Sequence, residues 1–487
     1  TDGCDKNIAI GNYAMDAADG AEHNNIAIGY DAGGSINHDD ADNNVLIGKD
    51  AGKGGVAAFT QNVAIGGSAL DGTANQPTEG CVAIGYQALR VAENEANGTI
   101  AIGLTAGTAI TTGTHNLSIG YDSMSANQTS DDNVGIGWKA LKDLTSDGAT
   151  RNTTVGNYSQ QNIVSGIYNT TFGYNTLGEA TIALYNTAIG YNAMSSVAGA
   201  VAVDGCVAIG YEALLGNGSN TTAIGGTVAI GRQALKDLTI GAGNTGIGSE
   251  AGANITSGAG NTAVGYEAML TGTSIAESVA IGYQAMATHL DGGRNIAIGY
   301  QAMTDTNAGT TSDGSTDNIF IGKLAGGGEW ANAESNSNVC IGNLSMAGLL
   351  NASLRNTCIG YTAGNDIVSG DDNVLIGNEA GSAITSGDYN ICIGSYAGLE
   401  NEDGDNNVLI GGQAGEHDDA GADVTSPDNC IAIGFQTKFE TTTPSNEIVI
   451  GHLAEGQGNN TATIGDDNVT AVYMADDSGA TVHCAGV

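Results

Sequence analysis

A five-residue unit, Asn-apolar-Ala-Ile-Gly, recurs about 26 times along the 487 residues, and any fold of this chain must accommodate it. It reads Asn7-Ile8-Ala9-Ile10-Gly11 near the start, Asn186-Thr187-Ala188-Ile189-Gly190 in the middle and Asn295-Ile296-Ala297-Ile298-Gly299 later. Most copies lie about 17 to 19 residues apart, too few for a helix-pair repeat. Each unit pairs a β-branched segment and a Gly turn with a second short segment such as Tyr283-Gln284-Ala285-Met286, followed by a polar loop. Two short strands and two turns describe one coil of an all-β parallel β-solenoid, or β-roll, of about 26 short coils. The array covers residues 1–451, and residues 452–487 read as a C-terminal coil and capping segment.

Side chains alternate across a strand, so Ile8 and Ile10 share one face and Ala9 takes the other. The Ile face is expected to form the coil interior. Asn at the unit start, as at Asn7, Asn25, Asn44, Asn62 and Asn116, is expected to stack into an amide ladder. The Gly after Ile is expected to supply a positive φ or a close backbone approach. A small residue held opposite Ile (Ala9, Ala27, Ala64, Ala83, Ala188, Ala297) suggests that another chain packs there. The same slot holds Leu46, Phe320, Leu375 and Leu409, and also Cys340, Cys358 and Cys392, which are expected to be buried and mostly reduced. Cys81, Cys206 and Cys430 instead replace the unit-start Asn.

Units such as Ser278-Val279-Ala280-Ile281-Gly282 resemble the head repeats of trimeric autotransporter adhesins, and that resemblance implies a left-handed, homotrimeric β-roll. The longer spacing, with Ala-Gly or Ala-Met after the turn, is more similar to repeats of phage tail fibres that carry a C-terminal intramolecular chaperone. The segment from Asn460-Thr461-Ala462-Thr463-Ile464-Gly465-Asp466 to Val472-Tyr473-Met474-Ala475 resembles the stretch preceding that chaperone. These resemblances imply an elongated adhesive fibre of a virion, with a microbial surface adhesin or extracellular filament subunit as the alternative. Its partners would be copies of itself and a host cell-surface glycan or protein, outside the cell.

Composition narrows the function further. With 53 acidic residues against 13 basic ones, the net charge is −40, and nothing in the chain neutralises phosphates, so no nucleic-acid partner is expected. No run of about 18 apolar residues suggests membrane insertion. The run Gly241-Ala242-Gly243-Asn244-Thr245-Gly246 matches a dinucleotide motif but lies inside the repeat without a helix to follow. The seven histidines fall in different coils, so no catalytic group assembles and no enzyme is expected. Acidic loops, as at His38-Asp39-Asp40, Asp131-Asp132-Asn133, Asp371-Asp372-Asn373 and His417-Asp418-Asp419, offer oxygen to Ca²⁺ but match no known calcium loop. Solvated turns without a cofactor are the favoured reading.

A tyrosine follows the anchoring glycine at Tyr30, Tyr86, Tyr121, Tyr174, Tyr191, Tyr211, Tyr266, Tyr283, Tyr300 and Tyr361. Stacked along an array, these rings are the receptor-binding candidates, since an aromatic face packs on sugar C–H groups. The competing reading, that they cover a coil edge or seal a chain–chain seam, is favoured. Wider spacing marks residues 195–205, 304–317 and 416–429 as bulging loops.

Overall fold

The computed structural model describes residues 6–19, 21–55, 57–72, 77–92, 96–146, 148–197, 203–218, 223–304, 314–331, 333–418 and 420–472. It is an all-β parallel β-solenoid of about 25 coils, with no α-helix among the described residues. Contacts divide it into two compact units, Thr1–Val264 and Gly265–Val487. Each coil contributes one three-residue strand to the main ladder, from Ile8–Ile10 to Thr262–Val264 in the first unit and from Val279–Ile281 to Ala462–Ile464 in the second. A few coils of the first unit add a second short strand, as at Phe59–Thr60 with Thr78–Glu79 and at Ser165–Ile167 with Ile182–Leu184 and Val203–Asp204.

The strands pair parallel and in register. Ile8, Ala9 and Ile10 lie beside Ile26, Ala27 and Ile28 in the first unit, and Ile296, Ala297 and Ile298 beside Ile319, Phe320 and Ile321 in the second. Register is fixed at each turn. The anchoring glycines from Gly11 to Gly451 have φ between +129° and +150°, and a Cβ on Gly299 would sit 2.3 Å from the carbonyl oxygen of Gly322 in the next coil. The glycine column is a direct backbone contact, so no larger residue fits.

The asparagine ladder forms as expected. Asn373 accepts from the backbone N–H of Asn390 at 2.9 Å and from its side chain at 3.1 Å, and Asn390 Nδ2 also donates to Gly404 O at 2.8 Å. Cys81, Cys206 and Cys430 take the same place: each backbone N–H bonds the preceding Asn Oδ1 at 2.9 Å, and each thiol donates to a carbonyl.

The interior is the reverse of the expected one. Strand-centre residues Ala27, Ala64, Ala83, Ala188 and Ala297 are wholly buried inside their own coil, while the flanking Ile and Val side chains point outward, half-buried. Ala9, in the first described strand, is exposed. The Ala slot therefore faces no partner chain. Space explains the inversion: the opposite leg fills the coil with Ala285 and Met286, or Ala213 and Leu214, and the far end adds Ile110, Leu144, Leu238 and Ile367. In these coils little room remains on the strand side, and a methyl group suits it. Cys340, Cys358 and Cys392 are likewise core residues of one chain, with free thiols, not seam residues. Cys4 and Cys484 lie outside the described residues.

The second leg is not a strand, contrary to the expectation for Tyr283–Met286. Gln284 and Met286 both adopt left-handed φ, 52° and 51°, and the same alternation recurs at Gln87 and Leu89 and at Glu212 and Leu214. Alternation breaks the pleat but keeps both left-handed residues' amides paired. Gln284 N–H bonds back to Tyr266 O at 2.9 Å, and Met286 N–H bonds forward to Ala302 O at 3.0 Å.

Candidate functional site

All ten candidate tyrosines stand on the outside, between 43% and 55% exposed, one residue past the turn glycine. Six of them form two stacks. Tyr174, Tyr191 and Tyr211 lie 5.3 and 5.4 Å apart with planes 8° and 7° from parallel, and Tyr266, Tyr283 and Tyr300 lie 5.3 and 5.2 Å apart at 14° and 7°. Tyr121 joins the first stack through Trp138 and Tyr158, with centroids at 6.3, 4.8 and 5.7 Å. Sequence reading missed Trp138, although it follows Gly137 as the tyrosines follow their glycines. Tyr30 packs edge-on against Tyr13 at 5.6 Å, and Tyr86 and Tyr361 have no aromatic neighbour among the described residues. Near-parallel rings at this spacing turn part of each face toward the next ring. A sugar laid along the stack would meet ring edges more than faces.

Two polar columns accompany the rings. The residue after the tyrosine pairs along the array in several coils, as in Gln284 Nε2 to Glu267 Oε2 at 2.6 Å and Gln301 Nε2 to Gln284 Oε1 at 2.9 Å. On the other side of the strand, just before the Asn ladder, Arg294 grips Asp317 at 2.7 and 2.9 Å and Arg355 grips Asp372 at 2.7 and 2.8 Å. The guanidinium of Arg355 holds the Asp372 carboxyl below its usual range, and Arg294 does the same for Asp317.

The acids of the loops act as backbone acceptors. Asp388 Oδ1 takes the N–H of Asp371, and Asp405 Oδ1 takes that of Asp388, both at 2.7 Å. Asp131 Oδ1 takes Thr114 N–H at 2.7 Å. These oxygens cap amides of the preceding coil. No group of three or more His, Cys, Asp or Glu suited to a metal ion occurs among the described residues. His38 stands 3.9 Å from Asp40, and Asp419 lies outside the described residues, as do 198–202 and 305–313 of the expected bulges. No helix among the described residues is long and apolar enough to cross a membrane.

Between the aromatic and charged columns lies the outer strand face. Its two columns, Val279, Ile296, Ile319 and Val339 beside Ile281, Ile298, Ile321 and Ile341, carry no charged residue in any strand of either unit. Ile281, Ile341 and Ile433 remain 36–39% exposed. Comparison with known proteins adds no assignment: no family profile matches the chain, and no curated protein is similar to it in sequence.

Proposed function

We propose that the chain is a non-catalytic structural and adhesive fibre, first of all the tail fibre of a phage or virus that attaches to a host surface, and that it works as a homotrimer outside the cell. The observation that carries this reading is the uncharged Ile/Val face on a chain of net charge −40. A face with a side chain at every coil is matched in period by another solenoid of the same pitch, which argues for a second copy of this chain. In this reading the Ile face, not the Ala slot, meets the other copies, and the tyrosines rim the seam. Isoleucine after isoleucine left half-exposed is the apolar content expected of an obligate interface.

Analytical ultracentrifugation of the full chain tests it. A trimer that dissociates in Ile298→Asp/Ile321→Asp supports the reading. A folded monomer at micromolar concentration rejects it. The alternative owner, a surface adhesin or extracellular filament subunit, shares this assembly and differs in what the fibre is fastened to.

A further inference from the structure

The coil between Gly411 and Gly434 carries one of the wide-spaced loops, and this loop folds back on itself. Asp418 N–H bonds Ala422 O at 2.8 Å, Val424 N–H bonds Glu416 O at 3.0 Å, and His417 bridges antiparallel to Asp423. At its root a pocket of about 250 Å³ is lined by Gln413, Glu416, His417, Gln436, Lys438 and Leu453. Glu416 is only 7% exposed, and its Oε2 has no hydrogen-bond partner. Its Oε1 lies 3.6 Å from His417 Nε2, while His417 Nδ1 stands 3.3 Å from Asp423 Oδ1 without hydrogen-bond geometry. Gln436 Nε2 donates to Gln413 Oε1 at 2.7 Å, and Lys438 pairs with Glu455 at 3.3 Å.

A buried carboxylate oxygen without a donor is costly, and a ligand that donates to it recovers that cost. Two kinds of donor qualify, a cation or a hydroxyl. Lys438 is already paired with Glu455, and the described residues hold no group of three or more His, Cys, Asp or Glu suited to a metal ion, which favours the hydroxyl. Side-chain amides, a carboxylate and an imidazole together offer both donors and acceptors, as neighbouring hydroxyls require. Leu453, 42% exposed, adds an apolar patch for a C–H face, and the volume suits a single small ring.

We propose that this pocket binds one neutral, hydroxyl-bearing sugar residue, with Glu416 accepting from its hydroxyls and the paired Gln413 and Gln436 amides fixing its orientation. The site stands apart from the tyrosine stacks and does not depend on the fibre reading. Saturation-transfer NMR on the full chain, with the methyl glycosides of glucose, galactose, mannose and N-acetylglucosamine as probes, tests it. Transfer to at least one glycoside is expected, with affinity lowered at least tenfold in Glu416→Gln and severalfold in Gln436→Ala. No transfer to any of the four, or equal binding by Glu416→Gln, overturns the proposal. Calcium binding by the wild type that is lost in Glu416→Gln overturns the ligand class. If Glu416→Gln fails to fold, Gln436→Ala decides, and unchanged affinity there also overturns it.

Discussion

A Cβ placed on Gly52 would lie 2.3 Å from Cδ2 of Leu46, so these two residues share one interior volume. Many coils with Ala at the strand centre carry Leu or Met four residues past the turn glycine, as with Ala83 and Leu89 or Ala280 and Met286, although the coils of Ala27 and Ala101 carry Gly33 and Gly107 there. The coils with Leu or Phe at the centre carry Gly there. Phe320 fills the space beside Gly326, Leu375 beside Gly381 and Leu409 beside Gly415, where an added Cβ would stand 2.5 to 3.0 Å from the ring or methyl. Trp330 completes the Phe320 coil, edge-on at 5.7 Å with its Nε1 donating to Gly326 O.

That exchange predicts strong coupling. Leu46→Ala alone should cost about 2–5 kcal/mol as a cavity, and Gly52→Leu alone about 1–3 kcal/mol or more by overpacking. The double variant restores the Ala-with-Leu pattern and should recover most of both losses. A double-mutant cycle by urea unfolding reads the coupling, and additive losses would show that the two side chains do not share space.

The ladder supplies a second prediction. Asn390→Ala removes the acceptor of Asn407 N–H and the donor to Gly404 O, both buried. Two stranded groups at about 1–3 kcal/mol each give roughly 2–6 kcal/mol of local destabilisation. Hydrogen exchange should show the Asn407 amide opening about thirtyfold faster or more while amides in residues 6–264 keep their protection. Unchanged exchange at Asn407 would mean that the ladder is ornamental.

Thiol chemistry supplies a third. Burial pushes the Cys392 thiol up to about 12 and those of Cys81 and Cys206 up to about 11, and it raises Cys340 well above its usual range. Little thiolate and no access mean little reaction. Mass spectrometry after a short pulse of alkylating reagent at pH 8 should find these four unmodified in the folded chain and fully modified in urea. Rapid labelling of Cys392 in the native state would contradict its place in the core.

The repeat, the turn glycine and the Asn ladder were legible because backbone geometry sets them afresh in every unit. Which face of the strand lies inside was not. Alternation separates Ile8 from Ala9 but says nothing of what fills the coil from the opposite leg, and there Met286 and Leu214 take the space. The pairing of Phe320 with Gly326 carried that information across six residues. The left-handed residues of the second leg escaped notice because Gln284 and Met286 are not glycine. Glu416 was invisible as a site residue, since its burial depends on a loop folding back onto the coil.

The last prediction concerns acid. Wherever the slot seven residues past the turn glycine holds Ile110, Leu238 or Ile255, the coil end is apolar, but in one coil it holds His289, wholly buried with Nε2 at 3.3 Å from Asn295 Nδ2. Burial lowers its pKa to about 4 from 6.5, slightly offset by Asp291. The depressed value means that the unfolded chain binds the proton more readily. Stability from this group is complete above pH 6.5, declines as pH falls, and is fully lost below about 4. A shift of that size corresponds to about 3 kcal/mol. Replacing His289 with Ile, the residue used by other coils, removes the titrating group from the same space. The wild type should therefore lose stability between pH 7 and pH 4.5 relative to His289→Ile, measured as the difference in urea midpoint at each pH. Parallel pH profiles for the two proteins would show that His289 is already protonated in the fold or carries no linkage.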